Sequence, residues 1–241
     1  MHQLCFLFSL ALLLGCNLEG MVPTAQKSII PTEQEVAAGL IESLSQGMQK
    51  GTAALSVKDG FYANALVKIP FPEQAQPIQK ALETIGAEKL IADTTLSLNR
   101  AAEDASGVAK DVLIQAVKAL TFQDAMHILL GPDHAATEYL RTTTSDLLLT
   151  KFTPIIQMSL DKVHATRYWN DVMTKYNQIN IMNVFGPAVE TDLTHYVAQR
   201  ALSGLFVMVE KEEKNIRQDP LTRTTALLQK VFSYADRQQA Q

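Results

Sequence analysis

The chain has 241 residues, of which 47% are hydrophobic, 19% charged and 7% aromatic, and 21 Lys and Arg against 25 Asp and Glu leave a formal net charge of −4. That balance excludes an intrinsically disordered chain, which is poorer in apolar residues and more highly charged, and a dedicated nucleic-acid binder, which carries a basic surplus. Only 11 Gly and 9 Pro are present, too few for the many turns of an all-β fold.

Residues 4–14 read LCFLFSLALLL and are followed by Gly15 and Cys16. The run is shorter than the ~20 residues that a bilayer-spanning helix needs, and it has the length of the apolar core of a secretory signal. Leu13-Leu14-Gly15-Cys16 resembles the bacterial lipobox, in which the signal is cut before the cysteine and the cysteine is lipidated. Residues 1–15 are therefore expected to be a lipoprotein signal peptide and Cys16 the lipidation site. The only other cysteine is Cys5, which leaves with the signal. The mature chain then has no free thiol, which excludes thiol catalysis and cysteine-based metal sites. Asn17 is not the aspartate linked to inner-membrane retention, so the expected location is the outer membrane of the cell envelope, facing the periplasm. Residues 16–31 lack periodicity and read as a tether.

From residue 32 onward the patterns are helical. Thr32-x-x-Glu35 is a capping-box pattern, and Val36, Leu40, Leu44 and Met48 form one apolar face. Gly47 and Gly51 are expected to mark the fraying end of that helix. Asp59-Gly60 signals a turn. Residues 64–72 (NALVKIPFP) predict an irregular strap, because Pro70 and Pro72 remove amide donors and bias their predecessors to extended geometry. Pro77 suits the first turn of a short helix that ends near Gly86.

An apolar stripe then runs through Ile91, Leu98, Ala101, Ala105, Val108, Val112, Ala116 and Leu120, with Ser106-Gly107 predicting a kink or two abutting helices. Thr121 is read as the cap of the next helix, which stops at Gly131-Pro132, and Asp133 as the cap of the one after. Further helices are predicted at 154–164, 166–177, 192–217 and 220–236. The run Ala201–Val209 is apolar almost all round and predicts the central buried helix, with Ala201 and Gly204 allowing another helix to come close. Glu210–Lys214 and Glu213–Arg217 have the spacing of i,i+4 ion pairs. The segment near 178–191 is too apolar for an interdomain linker. Residues 32–241 are therefore expected to form a single all-α, bundle-like domain with one proline-containing strap.

Several blocks of this region resemble a family of bacterial domains of unknown function, number 4197. They are Asp59-Gly-Phe61 with Asn64 and Val67–Pro72, Leu96–Glu103, Gly131–Tyr139, and a long C-terminal series. That series comprises Tyr196-Val, Ala201–Phe206, Glu212–Arg217, Asp219–Thr225 and Leu227–Phe232. The resemblance spans roughly residues 35 to 233 and implies an exported, often lipid-anchored, helical protein. It brings no catalytic residues and no ligand. His134 and Ser203 stand where it leads one to expect acidic residues, and Asp219 where it leads one to expect Asn.

Sites of chemistry are few. The histidines of the mature chain, His127, His134, His164 and His195, include no i,i+4 pair and no HExxH pattern, so no metal site and no cofactor are expected. No nucleophile elbow or phosphate-cradling glycine pattern occurs. Glu212 and Glu213 are adjacent on a helix and do not face each other; they read as a solvated helical end. The candidates for binding a ligand or partner are Asn99, Arg100, Tyr139, Arg223, Thr224 and Thr225. The competing reading makes Arg100 or Arg223 half of an internal ion pair with a carboxylate among Glu210–Glu213, because buried charges are normally paired. The expected function is a non-enzymatic binding or structural module, attached to the membrane by its lipid and engaging an envelope protein or ligand, with no nucleic acid. The alternatives are a carrier or sensor of a small apolar or anionic ligand held between helices, and an envelope hydrolase.

Overall fold

The computed structural model describes residues 30–180 and 192–240. The expected signal peptide, Cys16, nearly all of the tether and the apolar run 181–191 lie outside the described residues. The elements are α1 (Glu33–Leu55), α2 (Gln76–Glu83), α3 (Glu88–Lys118), α4 (Ala125–Leu129), α5 (Ala135–Lys162), α6 (Ala165–Ile179), α7 (Leu193–Gln218) and α8 (Ala226–Gln239), with one-turn 3₁₀ helices at Glu73–Ala75 and Pro220–Thr222. No strand occurs among the described residues.

Four long helices make the frame. They form a ring in which α1 packs on α3, α3 on α5, α5 on α7, and α7 back on α1. Neighbours run antiparallel. Asp104 meets Ser159 across α3 and α5, while further along α3 Ala116 lines a groove with Thr144. Glu213 meets Ala136, and Thr194 meets Gln157, across α5 and α7. This is the geometry of an up-and-down four-helix bundle. Outside it, α6 lies on α3, α2 on α6, and α8 on α1. The core is continuous and includes Leu40, Leu44, Leu98, Leu148, Phe152, Leu205 and Val209.

Helix α1 starts as its sequence predicts. Thr32 accepts from the Glu35 amide at 3.2 Å, and the Glu35 carboxylate accepts from the Thr32 amide at 2.9 Å. Its end is different: the helix runs on to Leu55, and Gly47 and Gly51 are buried in its interior. An added Cβ at Gly47 would lie 3.2 Å from the Val209 backbone, and one at Gly51 3.0 Å from Met208 Cβ. Gly39 likewise meets Val231 of α8 at 3.0 Å. With Ser43 between them, these glycines form a four-residue stripe that lets α1 approach α7 and α8 closely.

Helix α3 runs through the break expected at Ser106-Gly107. It is unbroken over 31 residues. Gly107 points outward and leaves the hydrogen-bond ladder intact. The buried stripe in its second half is Ala109, Leu113 and Val117, one position later than the expected Val108, Val112 and Ala116. Val108 is 58% exposed. The next helix is capped by Asp124, whose carboxylate accepts from the His127 amide at 3.0 Å, not by Thr121. Helix α5 is a single helix with Pro154 inside it, so no boundary falls at 154. The proline ring is exposed, which spares the core a clash while the helix forgoes one backbone bond.

The strap forms without becoming a strand. Val67, Ile69 and Phe71 are buried, and Phe71 packs on Trp169 with centroids 5.5 Å apart. It is this strap that approaches Gly204: a Cβ there would meet Phe61 at 2.9 Å and Val67 at 3.2 Å. Helix α7 carries Ala201, Leu202, Leu205, Phe206 and Val209 into the core, yet Ser203 is exposed. It is central but not enclosed on every side.

Candidate functional site

The polar residues singled out from the sequence lie in three separate places, and each is engaged within the fold. Asn99 is fully buried on α3. Its Oδ1 accepts from the Ile69 amide at 2.9 Å and its Nδ2 donates to the Ile69 carbonyl at 2.7 Å. One side chain thus replaces a strand partner for the strap. Beside it, Arg100 donates to Glu103 at 2.6 Å and to Asp59 at 2.7 Å. Glu103, the nearer partner in its effect, and Asp59 both raise the guanidinium pKa. Glu103 also accepts from the amides of Phe61 and Tyr62, which pins the turn where Asp59 takes a φ of 69°.

Tyr139 donates to the Thr121 carbonyl at 2.8 Å and lies against Phe122. It ties the segment after α3 to α5. Arg223 is 2% exposed. Its guanidinium donates to the Ile216 and Arg217 carbonyls at the end of α7, and to Asp236 of α8 at 2.6 Å. Thr225, expected in the first turns of a helix beginning at Pro220, is instead the cap of α8 and accepts from the Leu228 amide. Thr224 accepts from Gln46. The competing ion-pair reading therefore holds in kind, but with Glu103, Asp59 and Asp236 as the partners.

The pair Glu212 and Glu213 is not a solvated end. Glu213 is fully buried. It accepts from the amides of Ala136 and Thr137, from the Thr137 hydroxyl, and from Arg217. Glu212 pairs with Lys50 of α1. Of the two expected i,i+4 pairs, Glu213–Arg217 forms, whereas Glu210 is turned toward Arg141.

That turn leads to a feature which sequence reasoning missed. A groove of about 440 Å³ lies between α5 and α7, closed at one end by the 3₁₀ turn Glu73–Ala75. Its facing positions include the small residues Ser145 and Ser203, so the two helices leave space between them. Phe206, Leu149 and Leu202 line its apolar part, and Arg141, Arg200, Gln199, Glu73 and Asp146 its polar part. Both arginines rest on aromatic rings. Arg141 lies 5.2 Å from the Phe206 centroid, and Arg200 lies 5.5 Å from that of Tyr196, an arrangement with cation–π attraction.

The two arginines differ in what they bond. Arg200 donates to Glu73 at 2.7 Å. Arg141 makes no comparable bond: Glu138 is 3.4 Å away and Glu210 3.6 Å away, close enough for charge attraction. Its Nε is buried and has no hydrogen-bond partner. Tyr196 donates to the Pro70 carbonyl, and burial pushes its phenol up against the opposing pull of Arg200. No histidine or cysteine lines the groove. Among the described residues no three His, Cys, Asp or Glu gather as a metal site, and no helix is long and apolar enough to cross a membrane.

The sequence signal for the groove was the departure at Ser203, a small residue on the otherwise apolar stretch of α7. Arg141 carried no such signal, because only folding shows that its neighbours leave it unbonded.

The fold and groove define a helical-bundle domain with an open, mixed-polarity cleft between α5 and α7. The model of the family described as "Protein of unknown function (DUF4197)" matches residues 30–233, and the chain belongs to that family. No curated protein and no solved structure matches it.

Proposed function

We propose that the chain is a lipoprotein of the bacterial cell envelope, anchored through Cys16 in the outer membrane and facing the periplasm, whose helical domain is a non-enzymatic binding module. The α5–α7 groove receives the partner. The observation that carries this reading is the groove itself: about 440 Å³, within the range of ligand-binding clefts, with an arginine held by two long ion pairs and a buried Nε that makes no hydrogen bond. The anchor rests on the apolar run 4–14 ending at Gly15-Cys16. Acyl chains contribute about 0.8 kcal/mol per buried CH₂, enough for stable attachment when several are carried by one cysteine.

Two arguments weigh against an enzyme. Of the two carboxylates that line the groove, Glu73 pairs with Arg200 and Asp146 stands on another element. The serines in the groove have no histidine beside them to act as base. A second reading, a carrier or sensor of a small anionic ligand, is favoured by the unbonded Nε of Arg141.

Native mass spectrometry of the chain extracted from its own membrane tests the module. A stoichiometric protein or envelope component supports the first reading, a bound small anion the second, and the bare chain alone counts against both. Cys16→Ala should move the domain to the soluble fraction; persistence in the membrane would defeat the anchor.

A further inference from the structure

The fold uses its buried arginines to exhaustion. Arg217 donates through Nε, Nη1 and Nη2, and Arg223 does the same. Arg141 is the contrast: its side chain is 36% exposed, it is held over Phe206 at 5.2 Å, its Nε lies 3.4 Å from Glu138 and its Nη2 3.6 Å from Glu210, and that Nε makes no hydrogen bond. The ring beneath it restricts where the guanidinium can turn. Arg200 sits in the same groove, and the exposed Gln199 and Ser203 add an amide and a hydroxyl.

The geometry points to Arg141 as the anchor for an oxyanion, the carboxylate or phosphate group of a small organic ligand, taken up in the α5–α7 groove. A guanidinium offers two parallel donors that match two oxygens of such a group. The groove is larger than the anion alone, so the body of the ligand lies along Phe206, Leu149 and Leu202. Glu138 and Glu210 must yield when the anion arrives, which makes binding modest and salt-sensitive. This inference rests on the groove being the binding face.

The test uses the full-length chain in detergent, with ¹⁵N-detected arginine Nε–H signals followed during titration. The probes are phenyl phosphate, benzoate and the neutral benzyl alcohol. Saturable shifts of the Arg141 signal with either oxyanion, and none with the alcohol, support the inference; the tighter of the two probes identifies phosphate or carboxylate as the recognised group. Arg141→Gln should weaken binding by ~10-fold or more, the loss expected for a bidentate charge-assisted contact, while Arg167→Gln on the exposed side of α6 should not. Equal binding of the alcohol overturns the anion and keeps the groove as a site. Saturation by no probe, or equal losses in both variants, overturns the inference outright, and the mass-spectrometric result then decides the binding module separately.

Discussion

Glu213 and Arg217, one turn apart on α7 and 2.8 Å from each other, each terminate a different helix of the same corner. Arg217 donates to the Leu129 and Ile128 carbonyls at the end of α4, and Glu213 accepts from the first amides of α5. Cation at a C-terminus and anion at an N-terminus both agree with the helix dipoles. Truncating one partner leaves the other charged and buried, a loss of about 3–5 kcal/mol. Glu213→Leu and Arg217→Met should each lower the urea midpoint strongly, and the double variant should recover part of the loss, because the stranded charge is gone.

At Ile69 the strap is fastened by a single side-chain amide. Asn99→Ala removes both bonds to Ile69 and strands a buried N–H and C=O, at about 1–3 kcal/mol each. Hydrogen exchange of the Ile69 amide should accelerate well beyond the change in global stability. An unchanged exchange rate would mean that Pro70 and Pro72 hold the strap without it.

Two glycines should respond in opposite senses. Gly107 is exposed and an added Cβ would meet only Ser56 at 3.4 Å, so Gly107→Ala should stabilise by about 0.5–1 kcal/mol through helix propensity. Gly47→Ala gains the same propensity, but its Cβ would press on the Val209 backbone at 3.2 Å. Overpacking of that kind costs about 1–3 kcal/mol, so its thermal midpoint should fall.

Glu35 gives a pH dependence. Its hydrogen bond from Lys230, and after it that from the Thr32 amide, hold its carboxyl below the ordinary 4.5. A lowered folded-state pKa contributes stability at pH values above the unfolded pKa and loses it as pH falls through the folded one. Glu35→Gln should therefore melt earlier than the parent at pH 7, with the gap closing as the pH drops below 4.5. A gap of equal size at low pH would place the effect in the cap's shape and not in its charge.

What was legible in the sequence was local. The Thr32–Glu35 cap and the stripe Val36, Leu40, Leu44, Met48 are set within a few residues, and both stand in the fold. Gly47 and Gly51 were misread because a glycine inside a helix looks like a terminus until the helix that needs the space is known. On α3, the apolar residues at 108, 112 and 116 sit one position from those at 109, 113 and 117, and periodicity alone does not say which row faces the core. Glu213 caps an amide 77 residues away in the chain; no spacing rule reaches that far. The groove was invisible for the same reason, since it is made by residues of α5, α7 and the Glu73–Ala75 turn that lie far apart in the chain.

The small-residue stripe of α1 sets the order in which the domain can assemble. Its faces are filled by Val209 and Val231, from the last quarter of the chain. Helix α1 can form early, capped by its own residues, and can lean on α3, but its glycine face stays uncovered until the final two helices emerge. Such distant pairing slows folding relative to a bundle built from neighbours. A version truncated before α7 leaves that face of α1 bare and should be cleared by proteases faster than the full chain.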